Sequence, residues 1–398
     1  FVSTVYPEFS EKPFAESDKL NREKDEAIEK SPVKAKTFTK LFYRHWDEYV
    51  GDKRQHLFVL KLHYQKHESP AAVEPKWEPR DVTPGDRDAF PTSSTFDSGD
   101  NFTFTPDGKH LVFTAVPAKD EAWSTNYDLC RVSITNTSPK WETLTKDNPA
   151  ADSGPKFSPD SKKLAWRAQK RAGYEADKWD IVVADVKPDG TFAGEPKNLT
   201  AQKDVSVTEF AWGVEEALAF IADDAGATSL FSVTPDGVVS DGIKYKTMTG
   251  GTSARSGQLG SLTASRDGRV WMYTFARLNL PPELVGARFT PSDADGNSLN
   301  EGLSVSSPQN RLLLAELDLP KPESVKVKVE DGEMQMWVLK PPGFDAGKKW
   351  PVVYLIHGGP QGAWEDAWSY RWTPQLWAAQ GYVVVMPNPR GSTGFGQK

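Results

Sequence analysis

The chain has 398 residues, 38% of them hydrophobic and 26% charged, with a formal net charge of −7 at pH 7. That length exceeds one ordinary core and predicts two domains or one large repeat architecture. The lysines and arginines are not concentrated in a block, which excludes nucleic acid as a main partner; a lone Cys130 excludes an internal disulfide and a multi-thiolate metal site; and no apolar run approaches the roughly 18–20 residues that cross a bilayer, so no membrane partner is expected.

In chain order, the first forty residues are charged with little apolar periodicity and read as an exposed insertion between strands. "LFYRHWDEYVGDKRQHLFVLKL" follows and reads as a hairpin, with strands over 41–46 and 56–62 and a turn near Gly51-Asp52. A repeat then sets in. "FTPDGKHLVFTA" begins at Phe104, "FSPDSKKLAWRA" at Phe157 and "FAWGVEEALAFIA" at Phe210, each 53 residues after the last. "LTASRDGRVWMYTFA" carries Asp267, 107 residues after Asp160 of the second copy. Each copy is a strand, a turn built on Asp-Gly or a substitute, and a second, alternating strand, because Asp and Gly tolerate the left-handed backbone of tight hairpins. A second recurrence is a threonine closing a short strand: Thr83, Thr145, Thr200 and Thr249, spaced 62, 55 and 49 residues apart. "YDLCRVSI", "WDIVVADV" and "TSLFSVT" precede the last three and read as strands. Four strands per roughly fifty residues is the pattern of a propeller blade, and about five blades are predicted, the first beginning near Leu41.

From Val325 the texture changes. "VKVKVEDGEMQMWVLKPPGF" alternates strictly around Asp331-Gly332 and predicts a hairpin. "PVVYLIHGGP" is an uninterrupted apolar run, predicted to be a strand buried on both faces. "EDAWSYRWTPQLWAAQG" has helical features and stops at Gly381, and "YVVVMPNPRGSTGFG" is a second buried strand with its exit loop. Strand, helix, strand is the α/β pattern. The predicted organisation is an all-β propeller of about five blades over 1–318, followed by an α/β domain over 319–398; the resemblance described below makes the propeller incomplete and the second domain the first part of an α/β-hydrolase domain.

The polar, glycine-rich end of the apolar strand is the informative feature. In α/β-hydrolases a backbone N–H in the loop after an early strand helps to hold the oxyanion of a tetrahedral intermediate. Glycine lets a substrate carbonyl approach the main chain, and a following proline stiffens the turn.

A repeat of this kind followed by "HGGPQG" and "NPRGSTGFG" resembles the prolyl oligopeptidase family of serine peptidases, most of all its dipeptidyl-peptidase 5 and acylaminoacyl-peptidase branch. "YRHWDEYV" (Tyr43–Val50) and "LPPEL" (Leu280–Leu284) resemble propeller segments of that branch. The resemblance implies a propeller capping a Ser-Asp-His hydrolase that acts on short peptide substrates near their amino ends, with no metal or organic cofactor and with export from the cytoplasm in many relatives. It implies that Gly359 supplies the oxyanion-hole N–H, that His357 braces the loop or touches substrate, and that Arg390 and Gly391 play a structural part beneath the site. No Gly-x-Ser-x-Gly occurs in the 398 residues, and Ser392 in "RGSTG" has the wrong spacing for a nucleophile. The expectation is therefore a chain truncated at both ends, before the nucleophile on the carboxyl side and by one or two blades on the other, and inactive by itself.

Other candidates read more plainly. Trp364, Trp368 and Trp372 recur every four residues and would share one face of a helix, as packing or as a wall of the substrate site. Arg44 and Trp46 would occupy one face of a strand and His45 and Asp47 the other, with a structural role favoured over a grip on a peptide terminus. Glu215-Glu216, an acidic pair suited to a substrate amine, falls on a hairpin turn and reads as solvated. His63 and His67 lack a His-Glu-x-x-His frame. The alternatives kept open are a propeller binding module without catalysis, which leaves "HGGPQG" unexplained, and an esterase on the same scaffold.

Overall fold

The computed structural model describes residues 1–41, 43–45, 48–61, 78–89, 102–116, 121–136, 139–240, 245–246, 252–253, 257–288, 300–305, 308–330, 332–359 and 361–397. The chain forms two compact units: residues 1–175 with 184–196, and residues 176–183 with 197–398.

The first unit opens with a three-stranded sheet in which Arg54–Val59 lies between Val2–Val5 and Arg80–Asp81. This corrects the predicted pairing of 41–46 with 56–62. Arg44–His45 instead pairs tightly with Glu48–Tyr49, and the apolar edge of Arg54–Val59 is completed from the amino-terminal side. The first forty residues, expected as an exposed insertion, hold the strand Val2–Val5 and then a largely exposed helix. Phe14–Lys30 is a helix whose only buried residues are Ser17 and Asn21. A helix polar on nearly every side has little apolar periodicity to reveal it. It is supported by the i,i+4 ion pairs Asp18–Arg22, Lys19–Glu23 and Glu26–Lys30, each worth a few tenths of a kcal/mol. Asn21 ties it down by accepting the Tyr6 N–H at 2.8 Å.

Beyond this lie a four-stranded antiparallel sheet of Phe102–Phe104, His110–Ala115, Asp128–Ser133 and Glu142–Thr143, and the hairpin of Asp152–Phe157 with Lys163–Ala168. Leu57, Val82, Leu111, Phe113, Cys130 and Val132 form the core between the first two sheets. Arg54, itself buried, is neutralised by Asp86, Asp88 and Glu121 at 2.8–2.9 Å.

In the second unit Val207–Trp212, Leu218–Asp224 and Ala227–Val233 form one meander, and Gln258–Ala264, Val270–Arg277, Leu280–Arg288 and Asn300–Val305 form another. Ala219, Ile221, Leu230, Leu259, Trp271 and Tyr273 are buried between them. The repeat predicted from Phe104, Phe157, Phe210 and Asp267 is therefore one of antiparallel strands, and three of its four turns share a single lock, while the turn after Trp212 is the 3-10 helix Val214–Glu216. The Ser158 hydroxyl donates to Asp160, which accepts the Lys162 N–H, while the Lys163 N–H donates back to Ser158 Oγ. Thr105 with Asp107 and Ser265 with Asp267 repeat it. Charge-favouring hydrogen bonds lower the carboxyl pKa of Asp160 and Asp267, and at Asp107 they outweigh the opposing effect of burial.

The second recurrence has an equally local cause. The hydroxyls of Thr83, Thr145 and Thr200 accept the backbone N–H of Leu57, Leu129 and Ile181 at 2.8, 3.0 and 2.9 Å. Thr145 and Thr200 in turn donate to Asp128 and Asp180, the residues just before those amides. The threonine staples the outermost short strand of each copy to the strand before it. Thr249 lies outside the described residues.

The last part of the second unit is a four-stranded mixed sheet in the order Glu323–Val329, Gly332–Leu339, Val383–Asn388, Val352–Tyr354. The first two strands pair antiparallel as the alternating pattern predicts; Asp331 of the turn lies outside the described residues. Val352–Tyr354 runs parallel to Val383–Asn388, and a crossover containing the helix Pro374–Ala379 joins them. Trp337, Leu339, Ala378, Val384 and Met386 form its core. Two expectations fail here. Val352–Tyr354 is not buried on both faces: it is an edge strand, with Val352 61% and Tyr354 57% exposed. An apolar run reports only that a strand can be covered. The predicted helix is confined to Pro374–Ala379, because Pro374 fits the first helical turn and the residues before it follow an extended loop. It ends where expected, with Gly381 at φ +88°.

Replacing Thr200 with valine leaves the buried Ile181 N–H without its acceptor. Urea unfolding is expected to show a loss of about 1–3 kcal/mol, while the same exchange at the exposed Thr4 costs a few tenths at most.

Candidate active site

The strand Val352–Tyr354 passes through Leu355 and Ile356 into the loop His357–Gly362. Gly359 holds φ at +141°, and a Cβ there would lie 2.7 Å from the Gln361 nitrogen, so only glycine fits the path. The residue is exposed, and its N–H has no hydrogen-bond partner among the described residues. That is the state required of a donor kept for an incoming oxygen. Pro360 lies outside the described residues.

The loop is held by the exit of the neighbouring strand. His357 Nε2 lies 3.0 Å from Ser392 Oγ and Nδ1 lies 2.8 Å from the Gly358 carbonyl oxygen. The Thr393 N–H donates to the Gly362 carbonyl at 3.0 Å. Asn388, buried at the end of its strand, accepts the Trp364 N–H at 2.7 Å and donates both to the Trp364 carbonyl at 2.8 Å and to Gln335 Oε1 at 2.6 Å. The His357 ring thus ties its own loop to the exit of the neighbouring strand. Asn388, Gln335 and Thr393 were not singled out in the sequence. The sequence offers only an asparagine just before "PRGS", whose partners are distant along the chain.

A hairpin tip docks against the same loops. Ala225 and Gly226, at φ +50° and +83°, turn the chain between Leu218–Asp224 and Ala227–Val233. The Ala225 N–H donates to Gly394, and the Gly226 carbonyl accepts the Asp366 N–H at 2.8 Å and Trp337 Nε1 at 3.2 Å. A Cβ on Gly226 would sit 3.0 Å from both Gln335 and Trp337. Asp366 also accepts the Leu278 N–H at 2.9 Å. Beside this junction stand two carboxylates. Burial, with Asp223 nearby, pushes Glu365 from 4.5 up to about 7, against a 3.2 Å hydrogen bond from Gln258 that favours the charged form. Burial also pushes Asp223 up, opposed by Thr393.

The remaining sequence candidates are placed as follows. Trp364 packs on the sheet core and donates from Nε1 to the Leu355 carbonyl at 3.0 Å; Trp368 stands edge-on to Tyr370; Trp372 is 67% exposed. With no helix beneath them, they do not form the single face their spacing suggested. Arg390 is exposed and Gly391 has φ +95°. Ser392 is buried and engaged in bracing. Glu215 and Glu216 lie on a one-turn 3-10 helix, Glu215 exposed. Arg44 and His45 form the short strand already described; Trp46, Asp47, His63 and His67 lie outside the described residues. Among the described residues no cluster of three or more His, Cys, Asp or Glu could hold a metal ion, and no helix is long and apolar enough to cross a membrane.

The loop at Gly359 thus follows one strand of a parallel pair and is held by the exit of its neighbour. Residues 368–398 match the family model described as the prolyl oligopeptidase family. A dipeptidyl-peptidase 5 of Arthroderma otae is 30% identical over 393 residues, covering 94% of this chain and 49% of that protein. A probable dipeptidyl-peptidase 5 of Trichophyton verrucosum is 29% identical over 395 residues, covering 94% and 50%. In structure, an acylaminoacyl peptidase of Pyrococcus horikoshii aligns with a TM-score of 0.55 at 21% identity, over 74% of this chain and 40% of that one. The resemblance carried by "HGGPQG" and "RGSTGFG" is borne out: the chain is similar over 94% of its length to dipeptidyl-peptidase 5 proteins, and its last residues match the prolyl oligopeptidase family model. It spans about half the length of the curated relatives it matches.

The carboxylate pair predicts a pH dependence. Glu365 binds its proton more tightly folded than unfolded, so its contribution to stability is complete below about pH 4.5 and is lost as pH rises through about 7. In Glu365→Gln the thermal midpoint should fall less between pH 5 and 8 than in the parent, as read by differential scanning calorimetry. Superimposable profiles would show that Glu365 is ionised in the fold across that range.

Proposed function

We propose that this chain is the propeller and the leading part of the catalytic domain of a serine exopeptidase, a dipeptidyl or acylaminoacyl peptidase acting on short peptides. The observation that carries the reading is the Gly359 N–H: exposed, without a partner among the described residues, and on a loop that admits no side chain there. A serine attacking the scissile carbonyl turns its oxygen into an oxyanion, and a fixed N–H stabilises that charge more than it stabilises the ground-state carbonyl. The serine, its histidine base and the orienting aspartate come, on this reading, from outside these 398 residues, because no Gly-x-Ser-x-Gly lies within them.

Residues 1–318 are assigned to the propeller, about five blades of it, and 319–398 to the hydrolase domain. The propeller limits access to short substrates. The meanders over 207–305, with their turn locks, support the blade assignment. The sheet order of 323–388, antiparallel hairpin first and parallel pair next, supports the hydrolase assignment. Neither nucleic acid nor a membrane enters the reading.

The test uses the longer polypeptide that carries these residues together with a nucleophile. It should hydrolyse dipeptidyl or acylaminoacyl reporter substrates and be labelled by a fluorophosphonate, whereas the 398-residue chain should do neither. Gly359→Ala should lower kcat by roughly 10²–10³ with the circular dichroism spectrum retained. Labelling of the 398-residue chain, or a Gly359→Ala protein with full kcat, refutes the assignment.

A further inference from the structure

Ser392 fails as a nucleophile on sequence grounds, yet it is the best-placed hydroxyl near the glycine loop. It is 6% exposed. Its Oγ lies 2.7 Å from the Pro389 carbonyl oxygen three residues back; with His357 Nδ1 donating to the Gly358 carbonyl, a neutral ring accepts at Nε2, so the one hydroxyl hydrogen is shared between Pro389 and His357. His357 Nε2 meets that oxygen at 3.0 Å. One residue on, the Thr393 N–H holds the Gly362 carbonyl at 3.0 Å. The two contacts seize the loop at both ends, leaving only residues 358–361 between the anchors. A span that short between fixed ends has few conformations.

We propose that Ser392 is a positioning residue for the Gly359 amide: its hydroxyl, lodged between the Pro389 carbonyl and the His357 ring, holds that ring and so fixes the direction in which the loop presents an N–H that has no partner among the described residues. The catalytic consequence rests on the oxyanion reading above, but the mechanical claim does not. An N–H aimed at a developing charge works only if its direction is set before the reaction, and a misplacement of about 1 Å costs about a hundredfold in rate. With Ser392→Ala the Gly362 anchor survives and the His357 anchor is lost, so the loop loosens from its leading end without unfolding the sheet.

Two measurements test this. In the 398-residue chain, 15N relaxation should give a Gly359 order parameter near ~0.85 in the parent and below ~0.6 in Ser392→Ala, with the thermal midpoint close to unchanged. In the longer polypeptide, Ser392→Ala should lower kcat between about tenfold and a hundredfold with KM within about twofold. His357→Gln should do the same, and the double variant should be no worse than either single one, because residues acting through one contact are non-additive. An unchanged order parameter in Ser392→Ala, or losses that multiply in the double variant, overturns the proposal. If the loop loosens as stated while the parent polypeptide neither hydrolyses the reporters nor takes the fluorophosphonate label, the bracing stands and the peptidase reading falls.

Discussion

The site depends first on the side-chain amide of Asn388. It is buried, and its hydrogen-bonding atoms are used together: Oδ1 takes the Trp364 N–H, and Nδ2 gives to the Trp364 carbonyl and to Gln335. Gln335 lies on the adjacent strand and passes the connection to Ser324. A buried amide left half-paired would cost about 1–3 kcal/mol, so the network is strongly tied to one arrangement. That arrangement decides where the chain goes after Gly362 and therefore how far the glycine loop can stray from the strand that launches it.

The Gly226 hairpin tip adds a second fixed point on the same stretch. It binds Asp366 by main chain to main chain, and Trp337 shares its indole N–H between Gly226 and Trp364. Residues 364–366 are thus gripped from the mixed sheet by Asn388 and Trp337 and from the meander by Gly226. Trp337 spans both and is itself core, packed with Leu339 and Met386. Packing and hydrogen bonding coincide in one side chain, so a disturbance of the core here is also a disturbance of the loop.

What the sequence disclosed follows the range over which its causes act. The Asp turns and the threonine staples recur because each is made by residues within a few positions of one another or within one repeat, so spacing reveals them even though the job of Thr200 at Ile181 does not show. Gly359 was legible because a left-handed glycine after an apolar run is a local requirement. Phe14–Lys30 was not, since its stability comes from ion pairs and from Asn21 gripping Tyr6 rather than from an apolar stripe. The tryptophans at 364, 368 and 372 imitate helical spacing, but Trp364 is claimed by Asn388 through its backbone, and an extended path is the one that allows it. The exposed edge of Val352–Tyr354 could not be read from five apolar residues, which describe what a strand tolerates and not what lies beside it.

The placement of Asp223 and Glu365 bears on the chemistry proposed. Fixed negative charge near an amide meant to receive an oxyanion would oppose it, and Glu365 is only three residues beyond Gly362 while Asp223 abuts Gly394. Both carboxyls are pushed up by burial, and Glu365 further by its neighbour. Like charges in one partly desolvated site cannot both persist cheaply, so the pair holds a proton to higher pH than two isolated carboxyls would. Burial of these side chains at the hairpin junction therefore couples the contact around Gly226 to their protonation: the carboxyls that close it also hold their protons more tightly there.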